Sequence, residues 1–332
     1  MQGSLMLDID GTFLTAEDRH LLRQPQVCGV ILFARNIEHP QQVRELCQAI
    51  RAVRSDLLIG VDQEGGRVQR LRQGFVKLPA MGLLQTADNP AHLAEECGWL
   101  MAWEVLAMGI DFSFAPVLDL DYGRSDVIGL RSFGADAQRV ESLAGAFLKG
   151  MHAAGMPGVG KHFPGHGWVE ADSHVAIPVD ERSLAEIQQA DLLPFQNLQH
   201  DLAGMMPAHV IYPEVDALPA GFSKVWLQDI LRQQLGYKGV LFSDDLSMAG
   251  AHVAGDAAQR ILAALSAGCD VGLLCNDRGA AEQGLMALQT QQVTPCTQLS
   301  AMYGRYTAQH DFQQHPRWQS ARQALKSITI GL

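Results

Sequence analysis

Short apolar runs alternate with amphipathic stretches along this chain, and the alternation repeats. The runs fall near Leu5–Ile9, Gly29–Phe33, Leu57–Asp62, Phe112–Pro116, Gly158–Phe163, Gly204–His209, Gly239–Ser243 and Val271–Leu274. They are apolar at successive positions rather than at alternate ones, the pattern of parallel strands buried on both faces. Helical patterning lies between them. In residues 91–108, Leu93, Cys97, Leu100, Val105 and Met108 recur near the 3.6-residue period. Pro40 opens PQQVRELCQAIRAV as a first-turn proline. Ser223 precedes KVWLQDILRQQLG, which Gly236 is placed to cap. Residues 252–268 and 277–288 carry further helical patterns. Eight strand–helix repeats predict an α/β fold, a single (β/α)8 barrel. A doubly wound open sheet is the alternative, but no GxGxxG follows the first strand. No linker or low-complexity tract divides the 332 residues, so one catalytic domain over 1–332 is expected, its last ~30 residues forming an extension outside the barrel.

Composition narrows the partners. With 25 basic against 36 acidic residues the formal net charge is -11, which disfavours nucleic acid or an anionic membrane surface as partner. The start, MQGSLMLDID, lacks a basic region followed by an apolar one, and no apolar run reaches roughly 18 residues. A cytoplasmic protein, monomeric or weakly oligomeric, is expected. The 6 cysteines form no CxxC pair and read as buried thiols in a reducing compartment.

Chemistry gathers where the expected strands end. Strand three closes with Asp62 and runs on into Gln63, Glu64, Gly65, Gly66, Arg67 and Arg70. Strand four leads to Asp119 and Asp121, with Arg124 and Arg131 soon after. Strand five ends in Lys161 and His162, strand six in His209, strand seven in Ser243, Asp244 and Asp245, and strand eight in Asn276 and Asp277. In a barrel these ends converge on the face that holds active sites, so an enzyme is expected. The connection from Pro164 to about Glu181 is long against the usual 2–6 residues or so, and carries His166, Asp172 and His174. Asp172 and His174 lie two apart on a non-helical segment. The carboxylate is placed to accept from one imidazole nitrogen and leave the other for proton transfer. Blander readings compete. Asp62 or Asp244 could cap a following helix, a role that fits Asp245 better, and His209 fits a sugar contact or a core position equally.

At these residues the chain resembles glycoside hydrolase family 3, in its branch of single-domain bacterial β-N-acetylglucosaminidases of cell-wall recycling. The matching pieces are VDQEGGRVQRL, SFAPVLDL, GKHFPGHG, ADSH, MPAHVIY and FSDDLSM, in order from residue 61 to 248. The resemblance implies Asp244 as nucleophile, His174 as general acid/base and Asp172 as its partner. It implies that Asp62, Arg70, Lys161 and His162 hold the sugar hydroxyls and the N-acetyl group, with Arg131 joining them on the looser match GLRSFG. His209 is kept as a further substrate-binding candidate. The expected reaction is retaining removal of terminal β-linked N-acetylglucosamine from muropeptide-type fragments, with no cofactor and no metal. Alternatives stay open: a phosphorylase that releases the sugar to phosphate, attack by the substrate's own acetamido oxygen, a metal-dependent barrel hydrolase using His162, His166, Asp172, His174 and His209, or a sugar-binding protein without turnover.

Overall fold

The structure, a computed structural model, describes residues 3–170, 177–291, 296, 298–305 and 311–329. Eight parallel strands form the barrel wall: β1 (Leu5–Leu7), β2 (Val27–Leu32), β3 (Leu58–Val61), β4 (Phe112–Ser113), β5 (Gly158–Phe163), β6 (Leu202–Pro207), β7 (Val240–Asp245) and β8 (Val271–Leu274). Their order around the sheet is β4-β3-β2-β1-β8-β7-β6-β5. The ring closes just past β4, where Val117 bridges Lys161 and the Leu118 amide donates to the Lys161 carbonyl at 2.6 Å. All eight overlap the apolar runs of the sequence, and almost every strand residue is buried, so the wall is covered on both sides. The fold is a (β/α)8 barrel. No helix among the described residues is long and apolar enough to cross a membrane.

The helices are α1 (Ala16–Leu22), α2 (Pro40–Val53), α3 (Pro90–Ala107), α4 (Ala137–Ala154), α5 (Leu184–Gln189), α6 (Leu192–Leu198), α7 (Ala257–Ala267), α8 (Arg278–Gln291) and α9 (Pro316–Thr329). Helix α2 starts at Pro40, as its sequence predicts, and buries Val43, Leu46, Cys47 and Ile50 at helical spacing. Helices α3 and α4 approach so closely that a Cβ on Gly98 would stand 2.0 Å from the Phe147 carbonyl oxygen. The expected helix over 252–268 is interrupted: Gly255 takes φ 98°, and Asp256 caps α7 by accepting from the Gln259 amide. The stretch Val225–Gln234 is helical but of π type, ending with the Leu235 amide bonded to the Ile230 carbonyl. A short hairpin, Ile211–Tyr212 with Asp216–Pro219, has no counterpart among the expected strands. Helix α9 lies on α3. There Trp318 Nε1 donates to Glu104 Oε1 at 2.8 Å, and Arg317 pairs with Glu96 at 2.8 Å.

Candidate active site

The C-terminal ends of the strands enclose a pocket of ≈ 560 Å³. Asp62, Arg70, Arg131, Lys161, His162 and Asp244 all line it. These candidates are scattered over some 180 positions of the chain, and the barrel brings them together. Phe33, Phe114, Met206 and Met248 supply apolar wall between them. Asp172 and His174 lie outside the described residues.

One wall is a charged network rooted in β3 and β5. Lys161, 3% exposed, reaches Asp62 Oδ1 at 2.9 Å and Glu64 Oε1 at 2.6 Å. Arg131 clamps Glu64 with two bonds, Nε to Oε2 at 2.8 Å and Nη2 to Oε1 at 2.9 Å. Burial alone would raise the Glu64 pKa, but Arg131 and Lys161 outweigh it and hold the carboxyl well below its ordinary range. Burial likewise works against a charged Lys161, and Asp62 and Glu64 reverse the sign, so the ammonium is retained. Arg70 stands 3.7 Å from Asp62 Oδ2, while its backbone amide is fixed by Gln63 Oε1 at 2.8 Å. Gln63 is in turn tied to Ser113 Oγ on β4 at 2.9 Å. The loop after β3 is therefore pinned at its root, and its cations point into a site prepared before any ligand arrives.

His162 follows Lys161 directly, yet both line the pocket; the peptide between them is cis. Its Nδ1 lies 2.7 Å from Asp119 Oδ2. The backbone amides of His162 and His166 donate to Asp119 Oδ1 at 3.1 and 2.7 Å. His166 is 2% exposed, and burial with the neighbouring His162 pushes its imidazole down to about 4. Gly167 lets this loop press against the segment that follows β4, where a Cβ would meet the Leu120 carbonyl oxygen at 1.7 Å.

Asp244 closes β7. One of its oxygens, Oδ1, accepts from the Asp245 amide at 2.8 Å. Burial raises its pKa, but His209, His162, the Asp245 amide and Lys161 together hold the carboxyl below its ordinary range. Asp245 behaves differently. Burial and the charge of Asp244 push it up to about 6, and its oxygens are taken by the amides of Ser247 at 2.9 Å and Cys275 at 3.2 Å and by Asn276 Nδ2 at 3.4 Å. Neither Asp62 nor Asp244 caps a helix, and Asp245 ties two barrel loops instead of starting one. His209 is absent from the pocket wall. It is fully buried behind the Asp244–Asp245 pair, stacked on Phe222, with Nε2 3.1 Å from the Asp245 carbonyl oxygen. Among the described residues no three His, Cys, Asp or Glu side chains are grouped to hold a metal ion.

Glu64 and Asp119 are the residues that sequence reasoning left without a role. Both were legible as carboxylates at strand ends. What they hold became visible only when residues 67 and 43 positions away came into contact with them.

A pocket at the C-terminal mouth of a barrel, in which ionised carboxylates stand among fixed cationic donors, fits a glycoside hydrolase, and the comparisons agree. The glycosyl hydrolase family 3 N-terminal domain matches residues 6–301. A β-hexosaminidase of Pseudomonas aeruginosa is 66% identical over 330 residues, 99% of each chain. One of Thiobacillus denitrificans is 56% identical over 310 residues, 91% of this chain and 86% of its own. The crystal structure of NagZ from Neisseria gonorrhoeae in complex with N-trifluoroacetyl-D-glucosamine matches with a TM-score of 0.91 at 40% identity, covering 98% of each chain. The chain belongs to glycoside hydrolase family 3. Its activity is that of a β-N-acetylhexosaminidase.

Proposed function

We propose that the chain acts as one catalytic unit, a retaining exo-β-N-acetylglucosaminidase with Asp244 as nucleophile and His174 as general acid/base. The observation that carries this reading is the Asp244 carboxylate: ionised, lining the pocket, with Oδ1 occupied by the Asp245 amide and, among the described residues, no donor on Oδ2. In this reading Asp244 attacks the anomeric carbon through an oxocarbenium-like transition state while His174, oriented by Asp172, protonates the leaving oxygen. The same imidazole then takes a proton from water, which cleaves the glycosyl-Asp244 ester with net retention. A histidine needs little tuning for both proton transfers, since its reference pKa of about 6.5 lies near neutrality.

Sugar selection falls to the opposite wall. Lys161, Arg131 and Arg70 offer donors to hydroxyls and to the acetamido carbonyl, and Asp62 accepts from hydroxyls. These charges are buried or half-buried, so a sugar lacking the matching groups leaves donors or acceptors unsatisfied. The N-acyl amino sugar in the Neisseria gonorrhoeae NagZ complex supports N-acetylglucosamine as the glycone. On the resemblance of the KHFPGHG and DSH segments, we place the substrate among muropeptide-type fragments of peptidoglycan taken up into the cytoplasm.

The test is a 2-acetamido-2-deoxy-5-fluoro glucosyl trap followed by mass spectrometry of the digested protein. The expected result is one sugar ester on the peptide containing Asp244. Turnover without any adduct, with Asp244→Ala still active, would instead support attack by the substrate's acetamido oxygen.

A further inference from the structure

Asp119 lies beneath the pocket floor rather than in its wall. It is fully buried, and three donors converge on it. Oδ1 receives the backbone N–H groups of both His162 and His166, which have nothing else to offer than a proton. Among the described residues, Oδ2 has the Nδ1 of His162 as its one hydrogen-bond partner. Burial opposes its charge, yet the hydrogen bonds from His162 and His166 help to hold the carboxyl below its ordinary range, and with donors on both oxygens it carries no proton to donate. The hydrogen on the 2.7 Å contact therefore sits on Nδ1. A neutral imidazole has one N–H, and spending it on Asp119 leaves Nε2, at the far edge of the ring, bare on the pocket side.

We infer that Asp119 is a positioning residue: it fixes the tautomer of His162 so that Nε2 meets a sugar hydroxyl as an acceptor. The surroundings show what this accomplishes. Lys161 and Arg131 beside His162 can only donate. A hydroxyl that receives a proton from Lys161 must give its own to something, and Nε2 supplies that place. With the other tautomer the same hydroxyl would face donors on both sides.

The substitution Asp119→Asn separates this role from bulk packing because its outcome is geometrically forced. The amide oxygen must stay at the Oδ1 position, since two backbone N–H groups point at it. The amide nitrogen must then take the Oδ2 position and donate to Nδ1. The ring proton is driven to Nε2, in a side chain of unchanged shape.

This inference rests on reading the pocket as the sugar site, and the experiment keeps the two apart. In the full-length protein with ¹⁵N-labelled histidine, at a pH where the ring is neutral, long-range ¹H–¹⁵N spectra report which nitrogen is protonated; His162→Gln identifies the signals. The expected pattern is Nδ1–H in the wild type and Nε2–H in Asp119→Asn. On an aryl N-acetylglucosaminide, kcat/KM of Asp119→Asn should fall by about 100-fold, the scale of one mispaired buried hydrogen bond, with Tm close to wild type. In the His162→Gln background the same change should cost less than about threefold, because the two residues act as one. A wild-type ring protonated at Nε2 or at both nitrogens overturns the inference, even if the variant fails to fold. Unchanged kcat/KM in Asp119→Asn, or losses that multiply in the double variant, overturn it as well. A wild type with the expected tautomer but no N-acetylglucosaminidase activity would sink the reading of the pocket and not the proton assignment.

Discussion

Glu64 Oε1 lies 2.6 Å from Lys161 Nζ, and the same carboxylate accepts from Arg131 at 2.8 and 2.9 Å. One anion thus sets the position of two cations that face the pocket. Glu64 borders the pocket, but both of its oxygens are taken by Lys161 and Arg131, so its work is done through these partners. Removing it takes the carboxylate from Arg131 and leaves Lys161 with Asp62 alone, and breaking a buried pair from one side typically costs about 3–5 kcal/mol. Glu64→Ala should therefore lower the unfolding free energy measured in urea by that order and reduce kcat/KM on any N-acetylglucosaminide. Glu64→Gln keeps one acceptor and should be milder in stability. Equal stability of Glu64→Ala and wild type would show that water or a rearranged Asp62 replaces the carboxylate.

Asp244→Asn keeps the shape of the side chain and removes its charge. The amide cannot form the ester that the retaining route requires. Turnover should drop by several orders of magnitude, with circular dichroism and Tm close to wild type. Substrate KM should change far less than kcat, and a variant with ordinary kcat would remove Asp244 from the reacting centre.

The strands were legible because their apolar residues run on at successive positions, as a parallel barrel demands, and the donors and carboxylates at their C-terminal ends marked the face to watch. Strand β4 is shorter than its apolar run, its ladder ending at Ser113 with Pro116, which lacks an N–H, close behind. The π-type stretch Val225–Gln234 could not be told from an α-helix, since both put the same residues toward the core over so few turns. Asp62, Lys161 and Asp244 stood out as charged groups where only function keeps them. Glu64, Asp119 and His209 did not separate by role, because burial beneath a pocket and exposure within it draw on the same residue types at adjacent positions. Only the contacts across the barrel divide them.

His174→Ala should show a leaving-group signature. An activated aryl glycoside departs with little help from a proton, whereas a sugar leaving group needs one. The variant should lose far more activity on a disaccharide or muropeptide than on a nitrophenyl N-acetylglucosaminide. Comparing kcat/KM for the two substrates in both proteins checks it. Equal losses would remove His174 from the acid role and leave Asp172 a loop residue without a proton-transfer partner.

Glu104 offers a prediction about stability away from the chemistry. It sits on α3, 1% exposed, where Trp318 Nε1 donates to it at 2.8 Å and the Val76 amide at 3.1 and 3.2 Å. Burial pushes its carboxyl up to about 8, these donors only partly opposing the shift. An unfolded chain would release that proton near pH 4.3 or so. Between those two values the folded protein binds a proton that the unfolded one has lost, so this group makes stability fall as pH rises. Glu104→Gln removes the titration while keeping an acceptor for Trp318. The difference in unfolding free energy, variant minus wild type, should grow in the variant's favour from about pH 5 to about pH 8.5, by an amount on the order of a few kcal/mol. Urea titrations of both proteins at a series of pH values measure it. Parallel curves across that window would mean that Glu104 is ionised in the folded state, its charge balanced by the Trp318 and Val76 donors.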